Sequence, residues 1–329
     1  MKRGLRIATY NLAGLGGRGG GSEAERVRAF RAMLARLDAD VLCLQEVDAQ
    51  NIGTRHHPLR RLNVLEPLLA DSPYADFHRS HSQHRDRDGA LDIHNLVILS
   101  RWPMLQARQI WHELVPPPRH VPLHVAGHAG NTAVEAQPRR WDRPLLYAQI
   151  DLCVAGHGPG DSLHVFNAHL RAPLAAHLEG QKLSTGVWRS TAAWAEGFYL
   201  AALQRNGQAL EMRLAVDRLL STEPDARVIV CGDLNADLNE MPVRLLCASE
   251  TDTGNPALAG RALHAVDRAL VSTSSEGCDV ASRADERHYM LDHVLASKSL
   301  AAACTRVWMP VGEPAWPSDH PPLLAVFEI

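Results

Sequence analysis

The 329-residue chain is 46% hydrophobic and 22% charged, which suits a water-soluble fold of one large domain or two small ones. Its formal net charge of −3 excludes a global basic field of the kind that collects nucleic acid. No apolar run is long enough to span a membrane, no signal-like region precedes the first strand, and the six cysteines form no C-x-x-C pair, so the expectation is a cytoplasmic protein with reduced thiols and no membrane anchor.

Leu5–Tyr10 reads as the first strand and ends in Asn11. The glycine run that follows contains Gly14-Leu-Gly16-Gly-Arg-Gly19, a match to G-x-G-x-x-G. A dinucleotide fingerprint needs the strand to enter the first glycine directly, and here Asn11-Leu12-Ala13 intervene. The helix is expected from Ser22, with Glu25 completing a capping box and Val27, Phe30, Leu34 and Leu37 forming its apolar face. Val41–Leu44 is a short buried strand that ends in Gln45-Glu46. A helix is expected over Leu59–Leu69 and a strand over Tyr74–His78.

His78–His94 is a polar loop; His81 and His84 in it lack a carboxylate or cysteine at useful spacing to complete a metal set. Asn95 then opens the buried strand Leu96–Leu99, closed by Ser100-Arg101. Pro116–Pro144 is rich in Pro, His and Arg and long for a connection within a domain. Leu145–Val154 and Leu163–Asn167 pattern as an antiparallel pair, and the second runs into His169-Leu170-Arg171. Lys182 to about Leu220 reads as helical, interrupted at Gly197 and Gly207.

Arg227–Cys231 is a buried strand that stops at Gly232-Asp233-Leu234-Asn235. Asp233, Asn235 and Asp237 mimic the opening of a calcium loop, but Leu238 and Arg244 stand where that loop needs Gly and Glu. On this stretch alone, a backbone cap and a catalytic tip are both open. Met241–Ala248 is a short helix and Asp252–Gly277 carries no clear pattern. Met290–Leu295 is a strand through Asp292, Cys304–Met309 is another, and Ser318-Asp319-His320-Pro321 precedes the last strand, Leu323–Ile329. No repeat or linker divides the chain, so residues 1–329 are expected to form one domain.

Polar groups therefore flank successive apolar strands: Asn11, Glu46, Asn95, His169, Asp233, Asn235, Asp292, Asp319 and His320. Capping does not require two histidines and four carboxylates at strand ends. The segments Thr9-Tyr-Asn11-Leu12, Leu44-Gln-Glu46-Val47, Asn95 to Arg101, Asn167-Ala-His169-Leu170, Gly232-Asp233-Leu-Asn235, Leu291-Asp292-His293-Val294 and Ser318-Asp319-His320-Pro321 resemble, in order, the endonuclease/exonuclease/phosphatase (DNase I-like) family.

That resemblance implies an α/β fold, a four-layer α/β sandwich of two mixed β-sheets packed face to face with helices outside. It also implies a phosphoester hydrolase using Mg²⁺, with Mn²⁺ as a substitute. Glu46 is then the principal metal ligand, assisted by Asn11 and Asp319. Asp233 orients or deprotonates the attacking water, Asn235 holds the water or phosphate, and His169 and His320 face the phosphoryl group, with Asp292 fixing the His320 tautomer. Asn95, Arg171 and Arg101 are implied substrate contacts. The chain departs from the family's pattern at Leu234, Ala168 and His94, which stand where Phe, Thr and Gly are usual.

The expected substrate is a phosphate compound, first of all nucleic acid cleaved by a nuclease. An inositol phosphate or other small or lipid phosphate is the alternative, and a non-catalytic binding module is the alternative of another class. Arginine clusters at 55–61, 79–87 and 139–143, with Arg171, line a phosphate-rich groove or a plain solvated surface. Trp111, Trp141 and Trp188 stack bases or pack in the core. No obligate protein partner is indicated.

Overall fold

The structure is a computed structural model that describes residues 4–17, 22–123, 135–156, 158, 160–268, 270, 290–310 and 317–329. Expectations for the second half of the glycine run, the middle of Pro116–Pro144 and the end of Asp252–Gly277 lie outside the described residues.

In chain order the elements are β1 (Leu5–Leu15), α1 (Glu23–Leu37), β2 (Val41–Val47), β3 (Gln50–Asn51), β4 (Arg60–Arg61), α2 (Leu65–Leu69), β5 (His78–His81), β6 (Asn95–Ser100) and β7 (Met104–Ile110). There follow β8 (Arg119–His120), β9 (Gln137–Pro138), β10 (Leu145–Asp151), β11 (Ser162–His169), β12 (Lys182–Ser184), β13 (Val187–Trp188), α3 (Thr191–Thr222), β14 (Arg227–Asp233) and α4 (Met241–Cys247). The last are α5 (Glu250–Thr253), β15 (Leu263–Ala265), β16 (Asp292–Ser297), α6 (Lys298–Ala302), β17 (Cys304–Trp308) and β18 (Leu323–Phe327).

Two six-stranded mixed sheets result, ordered β17-β18-β1-β2-β6-β5 and β15-β16-β14-β11-β10-β7. Only β1–β2 and β11–β14 pair in parallel within them. The β-branched and leucine-rich runs bury both faces, as the sequence pattern requires. Ile7, Val41, Cys43 and Ile98 of the first sheet meet Ala148, Val165, Ile229, Cys231 and Val294 of the second in a shared core. The first sheet's outer face packs on Phe30, Met33 and Leu34 of α1 and on Leu65 and Leu68 of α2. The second packs on Ala209, Met212 and Val216 of α3 and on Val243 and Leu246 of α4. These are the four layers. Each fully buried Phe, Leu or Ile there contributes roughly 1.5–3 kcal/mol of transfer free energy.

One polar staple crosses the shared core. Gln45 Nε2 donates to Asn167 Oδ1 at 2.7 Å, and Asn167 Nδ2 donates to the carbonyls of Leu44 and Val97. Such a satisfied buried network fixes how the sheets register. It sits one residue before Glu46 and two before His169, so it also fixes the relative position of those side chains.

Several local expectations are corrected. Ser22 is the α1 N-cap but makes no side-chain cap; Glu23, not Glu25, reaches back and accepts from the Gly16 N–H at 2.9 Å. Leu59–Leu69 holds a two-residue strand and a one-turn helix. Tyr74 lies in a turn, its hydroxyl donating to the Leu34 carbonyl and accepting from the Ala39 N–H, and the strand begins only at His78. Residues 182–188 form a β-hairpin, and α3 runs unbroken for 32 residues through both glycines. The glycines serve close packing: a Cβ on Gly197 would lie 2.6 Å from the Ala176 carbonyl, and Gly207 faces the Trp141 ring. Among the described residues five cysteines are free and no helix is long and apolar enough to cross a membrane.

The approach of β14 to β11 fixes one backbone position. Gly232 has φ +133°, and a Cβ there would lie 1.9 Å from the Ala168 carbonyl oxygen. Gly232→Ala is expected to cost about 3 kcal/mol or more, because neither the dihedral nor the space admits a side chain. A urea melt with an unchanged midpoint would contradict this.

Candidate active site

The two parallel pairs, β1–β2 and β11–β14, aim their carboxyl ends at the same end of the sandwich. β6 begins there, with Asn95 opposite Val47, and β16 begins there, with Asp292 opposite Asp233. The chain therefore delivers six polar segments to one rim.

Glu46 sits in a bulge where Gln45 and Glu46 oppose one residue of β6, and its φ is +54°. A non-glycine residue in the left-handed region is uncommon, and a bulge re-aims its side chain. Its carboxylate turns toward the second sheet, with Oε1 3.7 Å from His169 Nε2. Burial raises its pKa, against the opposing influence of Asn11, Arg143 and His320.

Asp233 closes β14 and is 2% exposed. Its Oδ2 accepts from Asn11 Nδ2 at 3.0 Å and lies 3.3 Å from His169 Nε2; its Oδ1 accepts from the Asn235 N–H. Burial, and then the neighbouring Asp292 charge, push its pKa up to about 7, although His320, the Asn235 N–H and Asn11 pull the other way. Asn235 takes φ +47° and donates its Nδ2 to the Leu170 carbonyl, locking β14 to the end of β11. Behind this loop His293 bonds the buried Asp267 carboxylate at 2.7 Å and the Ala236 carbonyl at 2.8 Å.

His320 Nδ1 lies 2.5 Å from Asp292 Oδ2, and its Nε2 faces Asp233 Oδ2 at 3.9 Å. Burial lowers the imidazolium's pKa, but the hydrogen bond and charge of Asp292, with Asp233 and Asp319, outweigh it and bring it to about 9. His169 is the opposite case. Burial, Arg143 and the other rings hold it well below the usual histidine range, so it is neutral at pH 7.

Not every expected residue joins this group. Asn95 is fully buried, and its amide is spent on the backbone: Oδ1 accepts from the Leu91 N–H and Nδ2 donates to the carbonyls of Val47 and Leu91. It shapes the loop and has no group left for a substrate. Arg101 lies at the far end of β6, about 17–20 Å away for a strand of this length. There its Nε donates to Asp40 at 2.8 Å and its guanidinium covers the Phe77 ring. Asp319 is exposed beside His320, outside both carboxylate–histidine groups. Asn11 donates to Asp233 while its Oδ1 accepts from the Ala13 N–H, so its first task is to hold Asp233. Arg171 stays at the rim, 3.2 Å from Asp142.

Two residues gain weight. Arg143, just before β10, is 4% exposed, yet its Nε and Nη1 have no hydrogen-bond partner among the described residues. Its charge acts on Glu46, His94 and His169. The cue in the sequence is an arginine two residues ahead of a strand that starts at the same rim. His94 stands over Glu46, its Nδ1 3.8 Å from Oε1 and its ring edge-on to His169 at 5.6 Å.

The half-buried carboxyl of Glu46 and the buried one of Asp233, both raised, and Asp292 Oδ1, which has no hydrogen-bond partner among the described residues, gather carboxylate oxygens at this rim. That donor set fits a divalent cation, with Glu46 as the accessible oxygen ligand.

A sequence profile of the Endonuclease/Exonuclease/phosphatase family matches residues 8–320. The chain belongs to this family. It is thereby a member of a group of hydrolases that act on phosphoester bonds. No curated protein matches the sequence. Among solved structures, the human Nocturnin catalytic domain with bound sulfate is 14% identical, with TM-score 0.56 over 99% of this chain and 93% of that one. The mannosyl-6-phosphatase Bt3783 of Bacteroides thetaiotaomicron VPI-5482 is 15% identical, with TM-score 0.54 over 98% of both chains. A Bacteroides vulgatus family member is 14% identical, with TM-score 0.56 over 99% and 98%. At these identities the likeness is one of fold.

Proposed function

We propose that this family member hydrolyses phosphodiester bonds, with nucleic acid as the first substrate class, by water attack assisted by Mg²⁺ or Mn²⁺. The observation that carries this is the convergence of Glu46, Asp233, Asn11, His169 and the Asp292–His320 pair on one rim. Glu46 holds the cation, which when bound neutralises phosphate oxygens and so admits a nucleophile. Asp233, poised near neutrality, takes the proton of the attacking water as its oxygen bonds to phosphorus. Asn11 holds that carboxylate in place, and the Asn235 amide oxygen accepts from the same water. His320, cationic through Asp292, contacts the phosphoryl oxygens as the bond to the leaving oxygen breaks. The open donors of Arg143 add a second cationic contact, and neutral His169 donates Nε2–H to a phosphoryl oxygen.

One observation favours a smaller substrate. Several arginines of the basic clusters are ion-paired: Arg60 and Arg87 with Asp92, Arg79 with Glu66, and Arg171 with Asp142. Trp141 is buried against His112, which removes it as a base platform. A sugar or inositol phosphate needs no long basic track, and one structural neighbour is a mannosyl-6-phosphatase.

A panel of single- and double-stranded DNA, RNA, inositol phosphates and hexose phosphates, each with Mg²⁺ and with EDTA, separates the readings. We expect chelator-sensitive cleavage of an oligonucleotide. Turnover confined to the small phosphates would replace the nuclease reading with the phosphatase one. Absence of both turnover and cation binding would leave a binding module.

A further inference from the structure

The ring of His94 is not needed by any step above, yet it is aimed at the metal-binding carboxylate. Asp48 Oδ1 accepts from the His94 N–H at 2.9 Å and fixes a backbone with φ +57°. From there His94 Nδ1, shielded from solvent and with no hydrogen-bond partner among the described residues, points at Glu46 Oε1. His169 Nε2 approaches the same oxygen at 3.7 Å. One nitrogen from each ring and one carboxylate oxygen all lie within 4.8 Å of one another. Ligands about 2.1 Å from a common ion are about 3.0–3.4 Å apart, so each nitrogen has to close on Glu46 Oε1 by roughly half an ångström from 3.8 and 3.7 Å, and the two rings have to draw together from within 4.8 Å. The Glu46 and His94 side chains are 22% and 35% exposed, which leaves an approach from solvent. Arg143 opposes a cation here, but it is held 3.6 Å from the Asp142 carboxylate.

We propose that Glu46, His94 and His169 form a mixed oxygen–nitrogen site that selects an imidazole-accepting divalent cation, such as Co²⁺ or Zn²⁺, over Mg²⁺. Imidazole suits these ions, while Mg²⁺ keeps oxygen ligands and water. In this state His169 gives its Nε2 lone pair to the ion, and His320 with Arg143 carries the contact to phosphate. The proposal rests on Glu46 being a cation ligand, as read above.

The test is titration of the full chain with Co²⁺ and with Mg²⁺ by calorimetry, following Co²⁺ also by its visible absorption. His94→Gly suits the left-handed backbone, so the fold is kept, and unchanged circular dichroism checks this. We expect this variant to bind Co²⁺ about tenfold or more weakly and Mg²⁺ within about twofold of the wild type. The Co²⁺ spectrum should lose part of its nitrogen-ligand intensity, since His169 remains. Co²⁺ affinity that is unchanged, or that falls in equal measure with Mg²⁺, would overturn the role given to His94. Glu46→Gln separates the two levels: if Mg²⁺ binding survives it, the underlying cation reading fails, and this proposal with it.

Discussion

Asp233→Asn is expected to lower turnover by ~10²-fold or more while the protein remains folded. The exchange removes the group proposed to take a proton from water beside the Glu46 site, and it does so with almost no change of shape. Stability should not fall in parallel. The ionised Asp233 is buried and raised by Asp292, so its charge works against the native state near pH 7. Neutralising it offsets the local cost of an amide facing the Asn11 amide, 3.0 Å from the present oxygen. We therefore expect a melting temperature within a few degrees of the wild type. Full activity in this variant would remove the assignment of Asp233; lost activity with a collapsed melt would mean the carboxylate is structural.

The second large effect belongs to His320. His320→Ala is expected to cost ~10²-fold or more, through the loss of a cationic contact to the phosphoryl group. It also leaves Asp292 unpaired beside Asp233, which drives the Asp233 carboxyl further up. The subtler replacement, Asp292→Asn, gives the sharper test. With Asp233 near 7 and His320 near 9, kcat/KM should rise through the first value and fall through the second. His320 owes its high value to Asp292, so Asp292→Asn should move the falling limb down toward the ordinary histidine range near ~6.5. The sign for stability runs the same way. A histidine whose folded pKa is raised contributes stability below its unfolded value, and this is lost as pH rises through about 9. A falling limb that does not move in Asp292→Asn would show that another group sets it.

Most of the layering was legible in the sequence, because buried sheets announce themselves as β-branched runs such as Val228-Ile229-Val230. The polar residues that end them were legible for the same reason: a change from apolar to charged marks a strand tip. What was not legible is direction. Asn95 and Arg101 bracket the same six-residue strand, β6, so only one of them can lie at the rim. Adjacency in a motif could not say which, nor that Asn95 would spend its whole amide on the backbone. The continuity of α3 was hidden because glycine reads locally as a break, whereas Gly197 and Gly207 are there to let Ala176 and Trp141 come close. Arg143 was hidden in a run of arginines; burial, which sequence pattern does not give for a single cation, sets it apart from Arg139 and Arg140.

The most direct test of the proposed chemistry follows the oxygen atom. Hydrolysis of the fastest-reacting phosphoester of the panel in ¹⁸O-labelled water with Mg²⁺ should place one labelled oxygen on the product phosphoryl group. EDTA and Asp233→Asn should each suppress that product. Product phosphate without label, or labelled product at the same rate in both controls, would contradict water attack directed by Asp233 beside a cation on Glu46.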